Sequence, residues 1–305
     1  MNRRDFSKTL AGTTLGTAAL AVETLASPLP WAGDSDTLET PFKVSVMLWT
    51  VFTKLPFEER LEKVREAGYR AVELVREPAN WSEEDFRRAN RKRRELGITF
   101  DTTAGLKHGV ADPRAREALL ADVRDQLKVM EKIDCPSLII MSGNVMPDLS
   151  PQAQHASCVE GLKRAAELVE GKQVTLLLEN IDLEENPQYY LWSVPEAFKI
   201  IEEVNHPHVK FLYDFFHAQI SGGNLIANLQ KNVDKVGLVH IADVPGRHEP
   251  GTGEINYSNI YRKLAELKYD RYVAMEFHPT GDPIKILSAA REDALRTGHG
   301  VRDAG

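Results

Sequence analysis

The sequence predicts a single-domain (β/α)8 TIM barrel, and three observations predict it. Eight short β-prone runs alternate with eight helical stretches over about 265 residues, the usual span of such a barrel. Several of the runs are continuous Val, Ile and Leu, as strands covered on both faces are. The segment after the first run, VMLWTVFTKLPF (46–57), holds no glycine. That argues against the doubly wound open sheet, which needs a glycine-rich turn there to take a nucleotide.

The strands are read at 43–49, 70–75, 98–103, 137–142, 174–179, 209–214, 236–242 and 271–276, each rich in Val, Ile, Leu, Phe or Tyr. The helices fall between them, near 56–67, 82–96, 113–133, 151–170, 194–204, 222–233, 256–267 and 281–294. Gly68 and Gly97 stand just past the first two helices, where a left-handed cap is needed. The barrel is expected over residues 42–295, with a short C-terminal tail at 296–305.

The first residues read differently. Arg3 and Arg4 precede a weakly apolar, Ala/Gly/Thr-rich run from Thr9 to Val22, with small residues near Ala26. A twin arginine, a short apolar stretch and a small-residue cleavage region form a Tat-type export signal over 1–26. The run falls short of the roughly 20 apolar residues of a membrane span, so no stable membrane insertion is expected. Residues 27–41, bearing Pro, Ser and Asp, form a linker. The expected location is the periplasm, or another compartment reached by this route. Twin-arginine export carries folded and often cofactor-loaded proteins, which suits a metalloenzyme.

The chain carries a formal charge of −7. An acidic domain with no groove-like basic stripe is not expected to bind nucleic acid. The one basic cluster, Arg87 to Arg94, lies on an amphipathic helix and reads as a solvated face. Cys135 and Cys158 are the only cysteines, outside any CxxC pair, and are read as buried thiols.

The chemistry gathers at strand ends. Glu179, Asp214, His240 and Glu276 end the fifth to eighth strands. In a barrel, the C-terminal ends of the strands share one mouth. Three carboxylates and one imidazole there suit a hard divalent ion, Mn2+, Mg2+ or Co2+, better than structural zinc. Such an ion, chelated by two adjacent oxygens of an α-hydroxy carbonyl, acidifies the C–H between them. Glu179 and Glu276 would move the proton as base and acid. His217, three residues past Asp214, and Arg247, in the loop after the seventh strand, are read as substrate-binding. Arg247 would grip a substrate carboxylate by a bidentate pair. Glu73, at the end of the second strand, is placed with them, with bracing of the barrel mouth as its other reading.

Three segments carry a family resemblance: PGRHEPGTGEINY (245–257), DFFHAQISGGNL (214–225) and YVAMEFHPTGD (272–282). Together with LLLENIDLEENPQYYL (176–191) and the opening stretch VMLWTVFTKLPFEERLEKVREAGYRAVEL (46–74), they resemble the hydroxypyruvate isomerase family within the xylose-isomerase-like barrels. The likeness spans about Phe42 to Ala290. It implies that Glu179 and Glu276 are the acid–base pair and that Asp214 and residue 240 complete a metal site. It also makes a small keto acid or sugar the expected partner and a homodimer the oligomer to look for. The chain departs from the family at His240, where a glutamine is usual and where tagatose/psicose 3-epimerases have histidine. Glu-Asn-Ile-Asp at 179–182, His278, Pro283 and Arg76-Glu77-Pro78 also depart from it. The expected activity is isomerisation of a hydroxypyruvate-like substrate. The alternatives are an exported keto-sugar 3-epimerase or keto-glycoside eliminase, and a non-catalytic sugar-binding barrel. A DNA-repair endonuclease on the same fold would need more strand-end histidines and a basic face.

Overall fold

In the computed structural model, residues 40–299 are described. The expected export signal, nearly all of the linker, and residues 300–305 of the tail lie outside the described residues. Eight strands close into a barrel in chain order, every neighbouring pair parallel. They are β1 (Lys43–Met47), β2 (Ala71–Leu74), β3 (Thr99–Thr103), β4 (Ser137–Met141), β5 (Thr175–Glu179), β6 (Val209–Asp214), β7 (Val236–Ile241) and β8 (Tyr272–Met275). The helices are α1 (Phe57–Glu66), α2 (Glu83–Leu96), α3 (Arg116–Ile133), α4 (Pro151–Glu167), α5 (Val194–Val204), α6 (Phe215–Ser221), α7 (Leu225–Asn232), α8 (Tyr257–Glu266) and α9 (Pro283–His299).

Local chemistry sets many of these boundaries. Ser82 caps α2 in a reciprocal box with Asp85, and Gly97 closes it at φ 63°. Ser150 and Ser193 cap α4 and α5, each with a proline in the first turn. The last helix runs to His299, beyond residue 294, so residues 296–299 extend α9 rather than begin a tail.

Two apolar layers hold the barrel. The larger lies between strands and helices and includes Leu61, Val72, Leu120, Leu162, Phe211 and Tyr261. The smaller plugs the barrel interior with Met47, Ile139, Leu177, Leu212, Leu238 and Ala274. A fully buried leucine contributes about 1.5–3 kcal/mol. This plug also sets the site, because side chains alternate faces along a strand. Two residues beyond Leu177, Leu212, Leu238 and Ala274 come Glu179, Asp214, His240 and Glu276. Each therefore points inward, directly above the apolar layer.

Candidate active site

All four strand-end residues are buried, and one ligand atom from each lies within 4.8 Å of the others. His240 Nδ1 is the hub. It stands 2.6 Å from Glu276 Oε2, 3.5 Å from Glu179 Oε1 and 3.9 Å from Asp214 Oδ2. His240 Nδ1 and Glu276 Oε2 are both buried and form the tightest pair of the cluster. Three carboxylates and an imidazole nitrogen that converge so closely are what a cation needs, so the residues present fit a divalent ion. The set is oxygen-rich with one imidazole and no thiolate.

Each member is held from behind. Glu73 is fully buried, and its Oε2 lies 3.0 Å from His240 Nε2. This contact turns Nδ1 toward the carboxylates, as an outer carboxylate does for a ligating histidine. Glu73 does not line the cavity. β2 places it behind His240. Asp214 Oδ1 caps α6 by accepting from the Phe216 and His217 N–H groups, while Oδ2 stays turned to the cluster. Glu276 Oε1 accepts from Trp49 Nε1 at 2.8 Å and meets Arg247 Nη2 at 3.0 Å, leaving Oε2 for the centre.

Charge follows from these contacts. Burial pushes the Glu276 carboxyl up, but Arg247 and His240 beside it prevail and hold it well below the usual carboxylate range. Burial dominates at Glu179 and raises it, against the pull of His240. Burial alone would lower His240, and the surrounding Glu276 and Glu73 instead carry it well above an ordinary histidine.

A second group sits beside the first. His217 Nδ1 lies 2.5 Å from Asp182 Oδ2, and its Nε2 is buried, unpartnered and 3.4 Å from Asp214 Oδ2. Asp182 is itself fixed, since its Oδ1 accepts from the N–H groups of Glu184 and Glu185. Arg247 lies against the aromatic faces of Trp49 and Phe216, 5.4 Å and 5.0 Å from their centroids. Its Nη1 pairs with Glu185 at 2.7 Å, and Nη2 also approaches Asp214 at 3.6 Å. These contacts occupy the guanidinium that the sequence suggested for a substrate carboxylate.

Asp182, Glu185 and Trp49 were not legible as site residues. Acidic loop residues are common, and only their spacing from Glu179 and β1 marks them. Asp243 was missed as well. Its two carboxylate oxygens accept from the N–H groups of Val244, Gly251, Gly253 and Ile255, at 2.9–3.0 Å, and so shape the loop carrying Arg247. Gly253 comes so close to the Val244 carbonyl that any Cβ would collide with it. Arg247 itself has φ 57°, a left-handed backbone that costs about 1 kcal/mol or more and needs such a frame. Asp243→Ala is expected to cost at least about 3 kcal/mol, because four loop donors lose their acceptor. Urea denaturation will measure it, and a change under about 0.5 kcal/mol would mean the loop holds its shape without Asp243.

The centre opens into a cavity of about 830 Å3, lined by Glu179, His217, His240, Arg247 and Glu276 on one side and by residues following β2 and β3 on the other.

Comparison with known proteins decides the family. The model of the xylose isomerase-like TIM barrel matches residues 61–299. The chain belongs to that family. It is 30% identical to the 2-oxo-tetronate isomerase of Haemophilus influenzae, over 80% of this chain and 96% of that one. It is 28% identical to the hydroxypyruvate isomerase of Escherichia coli, over 78% and 93%. Among solved structures it is similar to an AP endonuclease, family 2, from Brucella melitensis, with a TM-score of 0.74 and 27% identity over 82% of this chain and 97% of that one. Within the xylose isomerase-like barrels, this chain is an isomerase of the hydroxypyruvate isomerase-like group, and its Glu/Asp/His cluster could hold a metal ion.

Proposed function

We propose that this xylose isomerase-like barrel is a divalent-metal-dependent enzyme that isomerises an α-hydroxy carbonyl substrate of the hydroxypyruvate/tartronate semialdehyde type. The observation that carries the reading is the convergence of Glu179, Asp214, His240 and Glu276 above the apolar plug, each offering a ligand atom within 4.8 Å of the others. These four residues would hold the ion. Mn2+, Mg2+ or Co2+ bound there would supply Lewis-acid polarisation of the carbonyl and its neighbouring hydroxyl.

The chain's own residues then handle the proton. Glu179 and Glu276 reach the centre from β5 and from the end of β8, both toward His240 Nδ1. One carboxylate takes the proton from the carbon bearing the hydroxyl. The other returns a proton to the former carbonyl carbon, while the hydroxyl proton passes between the two oxygens. The two carbons exchange oxidation level within one molecule, so the balance calls for no outside oxidant. His217 Nε2, oriented by Asp182, faces the same space and would contact a substrate oxygen.

The relatives' names support hydroxypyruvate and 2-oxo-tetronate as first candidates. The cavity favours a second reading, a keto-sugar epimerase or eliminase using the same residues. Its 830 Å3 lies in the range that takes drug-sized ligands, far more than a three-carbon acid fills. The twin arginine at Arg3 and Arg4 supports a periplasmic site of action.

The test is solvent-deuterium exchange followed by NMR. Mn2+- or Mg2+-loaded protein is expected to exchange the α-hydrogen of hydroxypyruvate and to form tartronate semialdehyde, and chelation should abolish both. Exchange confined to ketohexoses would move the protein to the epimerase reading. Absence of exchange from both substrate classes would overturn the proton-transfer mechanism.

A further inference from the structure

The free positive charge of the cavity lies at the end away from the carboxylate cluster. Arg76, following β2, and Lys107, in the loop after β3, both line it. The acids nearest to them in sequence are committed elsewhere. Glu77 pairs with Arg60 at 3.1 Å and accepts from the N–H groups of Val75 and Arg76. Asp122 accepts from the N–H groups of Lys107 and His108 and faces His108 Nδ1 at 2.9 Å. Asp125, which Lys107 influences through space, pairs with Lys128 at 2.7 Å. Among the described residues, neither Arg76 nor Lys107 has an acidic partner within 4 Å. The cavity wall also carries apolar or side-chain-free positions, Val75, Ala104, Gly105 and Ile139, together with the amides of Asn80 and Gln126.

The near end has the opposite balance. Arg247, the one guanidinium there, already meets Glu185, Glu276 and Asp214. A second anionic group on a substrate therefore finds its unspent donors at Arg76 and Lys107.

We propose that Arg76 and Lys107 form a distal anion subsite. The substrate is then an α-hydroxy ketone longer than three carbons, bearing a terminal carboxylate or phosphate at the end remote from the reacting carbons. The inference rests on the proton-transfer reading for the near end. The far end takes the acid by charge-assisted hydrogen bonds from a guanidinium and an ammonium. The apolar positions of the cavity wall cover the carbon chain.

A matched series tests this on the metal-loaded full chain: D-fructose, D-fructuronate and D-fructose 6-phosphate share the ketone end and differ at the far end. Deuterium-exchange kcat/KM is expected to favour one or both acids over fructose by about tenfold or more, as even one charge-assisted contact provides. The Arg76→Ala/Lys107→Ala double variant is expected to bring that ratio to about one. Comparison of the two acids then tells carboxylate from phosphate. A wild-type ratio near one, or a ratio that survives the double substitution, would overturn the subsite. If no ketose exchanges, the near-end reading rests on hydroxypyruvate alone, and calorimetric affinities for the same three compounds decide the subsite independently. Tighter binding of an acid that the double variant loses would support it, and equal affinities would sink it.

Discussion

Glu276→Gln is expected to lower kcat by about 10²–10⁴-fold, the contribution of a positioned acid or base. The amide keeps the size of the side chain and can still accept from Trp49 Nε1, which holds Oε1 at 2.8 Å. It cannot take up a proton at the position of Oε2, which lies 2.6 Å from His240 Nδ1. Because Glu276 belongs to the cluster that could hold a metal ion, Mn2+ affinity must be measured beside turnover. A large fall in kcat with Mn2+ saturating assigns the proton transfer to this carboxylate. Unchanged turnover would remove it from the acid–base pair.

Arg247→Ala is expected to act on kcat and stability, and not on KM alone. The guanidinium is buried, and it compensates Glu276 and Asp214 at 3.0 Å and 3.6 Å. Removing one partner of a buried ion pair costs about 3–5 kcal/mol, because the other charge stays buried without it. For a barrel of this length, that lowers Tm on the order of 10 °C in the metal-free protein. The sign of the pH effect follows from the same contact. Burial raises Glu276, and Arg247 is the strongest influence pulling it below the usual range. Without the cation the carboxyl moves up, so the acidic limb of the kcat profile shifts to higher pH. A variant that changes KM only, with Tm and the acidic limb unmoved, would mean that Arg247 serves the substrate and not Glu276.

The barrel and its four converging residues were legible because two periodicities are local. Apolar runs ending in a single polar residue mark strands whose last inward side chain reaches the mouth, as Leu177–Glu179 and Leu238–His240 do. The short helix α6 escaped. The sequence ends the sixth strand at 214 and starts the next helix at 222, and the Asp214 cap, made through two backbone N–H groups, turns the segment between them into α6. The contact that Glu73 makes was not legible for a related reason, since its partner, His240, is 167 residues away.

Strand order, the inward face of each strand and the residue types gathered at the mouth were thus determined by the order of residues alone, because alternation and strand ends need no knowledge of neighbours. Partnership was decided only on closure of the barrel. Closure set Nδ1 of His240 toward the carboxylates by placing Glu73 behind it. It occupied Arg247 with Glu185, Asp214 and Glu276, and among the described residues gave Arg76 and Lys107 no acid within 4 Å. Those outcomes depend on distances between strands far apart in the chain, and a charge is spent or free only according to what the fold brings within reach of it.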